Sequence, residues 1–471
     1  MGKYRYLAKN TALFALGSFG SKFLSFLFVS LYTAVLTTEE YGLIDLLTTT
    51  SSMLLFFVTL NISDAVIRFG LEKKDEQVGI FSYGLHIILK GHFIFGLVLL
   101  IIGLFNPMDL PYYLYLVLFL NVFFSSIYQL CSYYLRCFDE VRSVALAGIL
   151  LTLCTIVFNL LLLLVWEWGL LGYLTSLLLG QICAILYAVW VINKRKKIKW
   201  DEMCDNNTKN MMLSYSIPLI FNGLAWWINS SLDRYLLTAF CGVAINGIYA
   251  VGAKIPTILA TCQNVFAEAW SISAIKEYNE NDKDGFFSSV YSFYNSISVI
   301  MASVLVLLNV TIAEYLFKNS FFIAWEISSI LVVAMVFSGL SGVVGGIFSV
   351  VKKTKFYAIS TVVAALINTS LNFVLIPLYG AIGAAMATLV SFFSIWLIRL
   401  IYSRRFIEWG ITYVNDVFVY CLLVSQVIFD HMPNHFYLGQ VLILLVILWF
   451  NQNVFQRIGS ILKRKLGVLN G

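Results

Sequence analysis

The sequence has little charge and very little proline. Only 12% of its 471 residues are Asp, Glu, Lys or Arg, whereas soluble proteins contain about 25%. Apolar residues make up 60% of the chain, and only 6 residues are proline. Since a membrane-spanning helix needs about 20 apolar residues, the chain has material for about 14 spans. The composition excludes a string of soluble domains and predicts a multi-pass membrane protein.

Metal-binding and catalytic motifs are also lacking. The 8 cysteines form no CxxC pair and mostly lie in apolar stretches, which argues against a disulfide framework or a zinc site. The sequence contains no GxSxG, HExxH or nucleotide-binding loop. The loops predicted on the external side are too short for a catalytic domain. We therefore expect neither an enzyme nor a nucleic-acid-binding protein, and no cofactor other than H⁺ or Na⁺ as a coupling ion.

Long apolar windows predict an all-α fold of about 14 transmembrane helices, because a backbone without water must satisfy its own hydrogen bonds. Strand-like alternation is missing. The windows are 10–36, 40–69, 79–104, 112–135, 141–165, 169–192, 212–238, 246–270, 285–308, 325–351, 355–376, 380–402, 412–430 and 436–455.

The lysines and arginines predict the orientation of these spans. Most of the 31 cations fall on one side, among them the N-terminal group, the mid-chain loop at 193–211, and Arg399. Lys318 lies on the opposite side. The positive-inside rule then places both termini in the cytoplasm and the chain in the cytoplasmic membrane.

Two stretches of the chain are similar to one another. FNLLLLLVWEWGLLGYL and LNFVLIPLYGAIGAA align Asn159 with Asn372, Gly169 with Gly380, and Gly172 with Gly383. This repeat predicts two six-helix lobes around a central cavity, an N-lobe at 1–200 and a C-lobe at 201–405. Residues 406–471 would add two helices and a cytoplasmic tail. A duplicated rigid scaffold without transport activity is the alternative.

Several segments carry a family resemblance. YSIPLIFNGLAWWINSSLDRYLLTAF, INGIYAVGAKIP, the EEYG turn at Glu39–Gly42, YYLRCFDEVRSVALAG and LNFVLIPLYGAIGAAMAT occur in this order over about residues 1–405. In combination the chain resembles the polysaccharide-transport (Wzx-type) branch of the MOP flippase superfamily, which is MATE-like in fold. The resemblance implies a transporter that moves undecaprenyl-diphosphate-linked oligosaccharides across the cytoplasmic membrane by alternating access. Its partners would be that lipid-linked substrate, membrane lipids and polysaccharide assembly enzymes.

Polar residues inside apolar spans are the candidate site, because they are costly in a membrane unless they face a cavity or a partner. Asn222, Trp226, Asn229 and Asp233 form one stripe on span seven, and a face of span eight runs from Lys254 to Glu268. Asp64 and Arg68 are spaced for an i,i+4 ion pair.

The chemistry of the cargo assigns roles to these residues. A diphosphate attracts cations, for which we expect Lys22, Arg68, Arg234 and Lys254. Sugar hydroxyls and apolar faces suit amides and indoles, for which we expect Asn222, Trp226, Trp227 and Asn229. Asp64, Asp233 and Glu268 are candidates for binding a coupling ion. Each of these charges has a structural alternative, as a partner of a neighbouring charge or as a side chain that reaches the membrane surface.

Two other functions stay open. A peptidoglycan-precursor flippase would carry a similar lipid diphosphate. A MATE-like multidrug exporter would share the fold, but bacterial members commonly use an acidic residue in the first span, where this chain has Lys22 and neither Asp nor Glu.

Overall fold

The computed structural model describes residues 20, 22, 24–106, 110–195, 204–276, 285–351, 353–410 and 413–452. These residues fall into two compact units that divide between Ser231 and Leu232. We call them unit 1 and unit 2. The lobe boundaries expected after residues 200 and 405 stay a prediction.

The described residues of unit 1 form seven complete α-helices and most of an eighth, with a π-helix at Leu160–Val165 after α6. They are α1 Val29–Val35, α2 Thr38–Val58, α3 Ile62–Glu72, α4 Gln77–Phe105, α5 Tyr112–Arg136, α6 Val141–Asn159, α7 Gly169–Arg195 and α8 Asn206–Cys241, whose last residues belong to unit 2.

Where the structure describes unit 2, eight further α-helices follow. They are α9 Val243–Gly252, α10 Pro256–Lys276, α11 Phe286–Leu307, α12 Asn309–Leu316, α13 Trp325–Val350, α14 Thr354–Ser403, which is interrupted by a kink at the non-helical Gly380, α15 Tyr413–Asp430 and α16 Tyr437–Phe450.

The described part of the chain is helical and contains no strand. Within it, 9 helices are long and apolar enough to cross a membrane, or 10 if the bent pair α9–α10 is one span. Two shorter apolar helices, Leu24–Val35 and Tyr437–Phe450, accompany them. The all-α, multi-pass prediction is confirmed, and the expected count of fourteen spans is approximate.

Two predicted spans are broken. The window at 40–69 is two helices, because Leu60 and Asn61 have positive φ angles of 49° and 53° between α2 and α3. The window at 246–270 is also two helices, α9 and α10, which are bent by 52°. Hydropathy missed both breaks because the residues in these turns include apolar ones such as Leu60 and Ile255.

The two similar sequence stretches share a backbone feature. Gly169 and Gly380, which the repeat aligns, have φ angles of +53° and +57°. Positive φ angles of this size are strained for residues that have a Cβ atom. Three residues later, a Cβ on Gly172 would lie 3.0 Å from the carbonyl oxygen of Leu162, and one on Gly383 would collide with the carbonyl of Leu375. The matched glycines therefore serve the same turn and the same close helix packing in each unit.

Each unit has its own buried interior. In unit 1, α3, α4 and α5 pack around Ile62, Val66 and Leu130, and the rings of Phe81 and Tyr134 lie 4.4 Å apart. In unit 2, the stretch at 319–348, which includes most of α13, contains an apolar segment of 18 residues of which 72% is buried. That helix packs against α10, α11 and α14 and forms the centre of unit 2.

The EEYG motif marks the start of α2. The Thr37 hydroxyl accepts a hydrogen bond from the Glu40 backbone N–H at 3.2 Å, and the Glu40 carboxylate accepts one from the Thr37 N–H at 2.8 Å. This reciprocal capping box satisfies two N–H groups that a helix start leaves free. Tyr41 and Gly42, which complete the motif, are buried.

Candidate functional site

The candidate cations of unit 1 are exposed. Lys22 is exposed on the first span, and Arg68 is exposed near the end of α3. The Arg68 guanidinium lies 3.4 Å from the Glu72 carboxylate and 5.1 Å from the ring centre of Tyr215. The expected ion pair with Asp64 is wrong, since Arg68 pairs one turn further along the helix.

Asp64 instead belongs to the break before α3. Its carboxylate accepts a 2.6 Å hydrogen bond from the Asn61 side-chain amide. Asn61 itself has a left-handed backbone conformation. Asp64 is therefore held by a neutral donor, beside the turn that divides the second span.

The residues of the predicted sugar-binding stripe on α8 differ in burial: some are exposed and others are buried. Asn222 is exposed, and Trp226, one turn later, is 50% exposed. Trp227 and Asn229 are buried within unit 1. The Trp227 indole N–H donates to the Thr49 carbonyl on α2 at 3.1 Å. The protein thus leaves Asn222 and Trp226 uncovered, whereas Trp227 connects two helices.

The candidate charges of unit 2 begin at the end of α8. Asp233 is buried, and its Oδ2 accepts a 2.6 Å hydrogen bond from the Tyr249 hydroxyl on α9. Its Oδ1 accepts from the backbone N–H of Arg234 at 3.0 Å. Arg234 is half-buried. The carboxylate of Asp233 is therefore fixed between α8 and α9.

Lys254 lies in the bend between α9 and α10. Its backbone N–H donates to the Val251 carbonyl at 2.9 Å, and Pro256 begins the next helix. On the predicted face between Lys254 and Glu268, Thr257 and Asn264 are exposed and Thr261 is buried. Lys254 itself is half-buried. The side chain of Glu268 lies outside the described residues. The bend places Lys254 at a break in the span.

Among the described residues, one lysine or arginine is buried, and its burial was not predicted. Arg399 was expected among the cytoplasmic cations, but only 3% of it is exposed. Its guanidinium donates to the Ser360 and Thr361 hydroxyls at 2.9 Å and to the Ser341 carbonyl at 3.0 Å, and it lies 3.9 Å from the centre of the Tyr357 ring. The position of Arg399 inside the apolar window 380–402 is the sequence feature that could have predicted its burial.

A cleft of about 340 Å³ lies in unit 2 and is largely apolar. None of the predicted site residues lines it. Its lining includes Ile245, Ile323, Glu326, Tyr379 and Ile382. The cleft therefore differs in character from a cationic headgroup site.

The helical architecture matches the fold of solved membrane transporters. The lipid II flippase MurJ, in an inward closed conformation, matches with a TM-score of 0.71 at 16% identity, over 95% of this chain and 99% of that chain. An inward-facing multidrug resistance MATE family transporter matches with a TM-score of 0.68 at 13% identity, over 84% of this chain and 94% of that chain. At these identities the likeness concerns the fold.

The sequence comparisons define the family. An uncharacterized membrane protein of Methanocaldococcus jannaschii is 23% identical over 414 residues, which are 83% of this chain and 96% of that protein. A family described as polysaccharide biosynthesis protein matches residues 7–271. The chain belongs to this family, and the predicted resemblance is confirmed.

Proposed function

We propose that this chain is a flippase that moves undecaprenyl-diphosphate-linked oligosaccharide repeat units across the cytoplasmic membrane by alternating access. The product would enter surface polysaccharide synthesis, such as that of capsule or O-antigen, and the assembly enzymes of that pathway would be its partners. Membership of the polysaccharide biosynthesis family is the observation that carries the proposal. Both termini would lie in the cytoplasm.

Exposed polar side chains on apolar helices support an amphiphilic, anionic cargo. Lys22 on the first span and Lys254 at the bend of α9–α10 would attract the diphosphate as point charges, with Arg68 and Arg234 as further cations. Asn222 and Trp226 present an amide and an indole on one exposed helix face, which suits sugars. Trp227 and Asn229, which are buried, would support this face.

Lysine substitutions test the role of the cations. In a strain lacking the gene, complemented with each variant, we expect Lys22→Ala and Lys254→Ala to reduce surface polysaccharide at least about tenfold. The reason is that losing one charge-assisted contact costs at least about 1.4 kcal/mol. The matched control is Lys90→Ala, because Lys90 is also exposed on an apolar helix but is not assigned to the site. Membrane levels of each variant are measured alongside.

A second experiment identifies the cargo. The strain lacking the gene should accumulate a lipid-linked oligosaccharide on the cytoplasmic side, which mass spectrometry identifies. Accumulation of a peptidoglycan precursor would replace the cargo with that of a cell-wall flippase. Retention of a drug, with normal glycan export, would favour the exporter. Normal export by both lysine variants would remove these residues from the site.

Ion coupling would involve Asp233 in this proposal, because its carboxylate is buried and fixed by Tyr249. Asp64 and Glu268 are the other candidates. In vesicles that contain the purified protein, flipping is measured with and without an imposed H⁺ or Na⁺ gradient. Gradient-driven flipping that is lost in Asp233→Asn supports coupling, and gradient-independent flipping contradicts it.

A further inference from the structure

Buried polar side chains connect α15 with α11 at two levels. Near the start of α15, the Asn295 amide donates to the Asp416 carboxylate at 3.0 Å and accepts from the Tyr420 hydroxyl at 2.9 Å. Further along, the Gln426 carbonyl oxygen accepts from the Ser303 hydroxyl at 2.7 Å, and its amide nitrogen donates to the Ser303 carbonyl at 2.9 Å. Both amides thus use their donor and their acceptor.

A third group of buried polar side chains lies at the end of α15, and here the amide oxygens have no hydrogen-bond partner among the described residues. Asp430 is 0% exposed. Its Oδ2 accepts from the Asn309 amide at 2.8 Å, and its Oδ1 accepts from the Gln440 amide at 3.3 Å. The oxygens of these two amides, Asn309 Oδ1 and Gln440 Oε1, have no hydrogen-bond partner among the described residues, although both side chains are fully buried.

The orientation of both amides is fixed by what surrounds their nitrogens. The Asn309 nitrogen also donates to the Trp325 carbonyl at 2.8 Å, and the Gln440 nitrogen also donates to the His435 carbonyl at 2.7 Å. Reversing either amide would bring its oxygen against oxygens that only accept. The nitrogens must therefore stay where they are, and the two oxygens are left near the Asp430 carboxylate.

The position of this cluster adds negative potential. Asp430 is the last residue of α15, and a helix C-terminus carries partial negative charge from its free carbonyls. The Asp430 carbonyl accepts from His435 Nδ1 at 2.7 Å. Ser329, one turn after Trp325, carries another fully buried hydroxyl without a partner among the described residues. A carboxylate and several oxygens thus occur among residues of α12, α13, α15 and α16, next to the 3-10 turn Pro433–Phe436.

We propose that Asp430, Asn309 and Gln440 form a binding site for one monovalent cation of the Na⁺ type. Oxygen ligands suit hard cations, and the described residues contain no group of three or more His, Cys, Asp or Glu side chains fit for a transition metal. One carboxylate balances one positive charge, whereas a divalent ion would leave an excess charge in a buried site. A proton on Asp430 would leave both amide oxygens without a donor.

Sodium binding to the purified full-length protein tests this site directly. Equilibrium dialysis with ²²Na⁺ should detect saturable binding, and NaCl should raise Tm by about 2 °C or more over choline chloride at equal ionic strength. Asp430→Asn should weaken Na⁺ binding at least about tenfold and remove the Tm shift. The matched control is Asp416→Asn, on the same helix, which should keep both.

Each other outcome overturns the proposal. Wild-type protein without saturable ²²Na⁺ binding would show that the amide oxygens bind water or nothing, and this result needs no variant to fold. A Tm that responds to pH but not to Na⁺ would assign Asp430 to a proton. Sodium binding that survives Asp430→Asn but is lost in Asp233→Asn would place the ion at the proposed coupling site instead. The inference does not depend on the cargo.

Discussion

The two units handle their charged side chains in different ways. In unit 1, cations pair with carboxylates at the surface: Arg68 with Glu72 at 3.4 Å, and Lys73 with Glu76 at 3.2 Å. In unit 2, Arg399 and Asp430 are buried, and their side chains contact hydroxyls, amides, a carbonyl and an aromatic ring.

Surface ion pairs and buried charges contribute differently to stability. A surface ion pair contributes about 0–1 kcal/mol, because water screens the attraction and the side chains lose freedom. A buried charge is costly unless each of its hydrogen-bonding groups has a partner. Unit 1 therefore uses charge to position helix ends, whereas unit 2 contains single charges whose stability depends on a complete set of neutral contacts.

The largest effect is expected at Arg399. Arg399→Ala should lower the free energy of unfolding by about 3 kcal/mol or more, because it removes three hydrogen bonds and leaves a cavity beside Tyr357. Thermal unfolding of the purified protein measures the loss. The control is Arg405→Ala, since Arg405 is exposed and lies 5.2 Å from the Tyr402 ring. Equal effects at both positions would remove the contrast between buried and exposed cations.

A smaller effect is expected at the start of α2 in unit 1. Thr37→Ala removes the hydroxyl that accepts from the Glu40 N–H and should cost about 1 kcal/mol of stability. Thr38→Ala, at the next residue, leaves the capping box intact and is the control. If the two variants unfold at the same temperature, the EEYG motif does not act through this cap.

The smallest effect is expected at the surface pair of α3. Arg68→Ala should cost about 0.5 kcal/mol or less, because the side chains of Arg68 and Glu72 are 52% and 54% exposed. The loss should shrink further at high salt, as screening weakens the pair. Glu72→Gln removes the ion pair but keeps the contact between Arg68 and the Tyr215 ring. A salt-independent loss in Glu72→Gln would contradict this account.

The fold class followed from composition, because an apolar chain in a bilayer has few ways to satisfy its backbone. The repeat was also informative, since Gly169 and Gly380 share a positive φ. Helix breaks were missed. Hydropathy averages over windows, so a turn that contains Leu60 or Ile255 resembles the span around it.

The candidate site was only partly open to prediction. Periodicity placed Asn222 and Trp226 on one exposed face, but it could not distinguish Trp227, whose partner Thr49 is far away in the sequence. Asp430 was missed because its partners Asn309 and Gln440 come from other helices. Arg399 was missed because a cation near the end of an apolar window also fits a membrane surface. The binding roles of the predicted residues stay a prediction.

The buried guanidinium of Arg399 also bears on how the chain enters the membrane during synthesis. An arginine in a span costs about 2.5–3.5 kcal/mol on insertion scales. Its contacts come from Ser341, Tyr357, Ser360 and Thr361, all of which precede it in the chain. The ribosome therefore synthesises these partners first. We expect the second half of α14 to insert after them, so that Arg399 enters the membrane beside groups that can accept its hydrogen bonds.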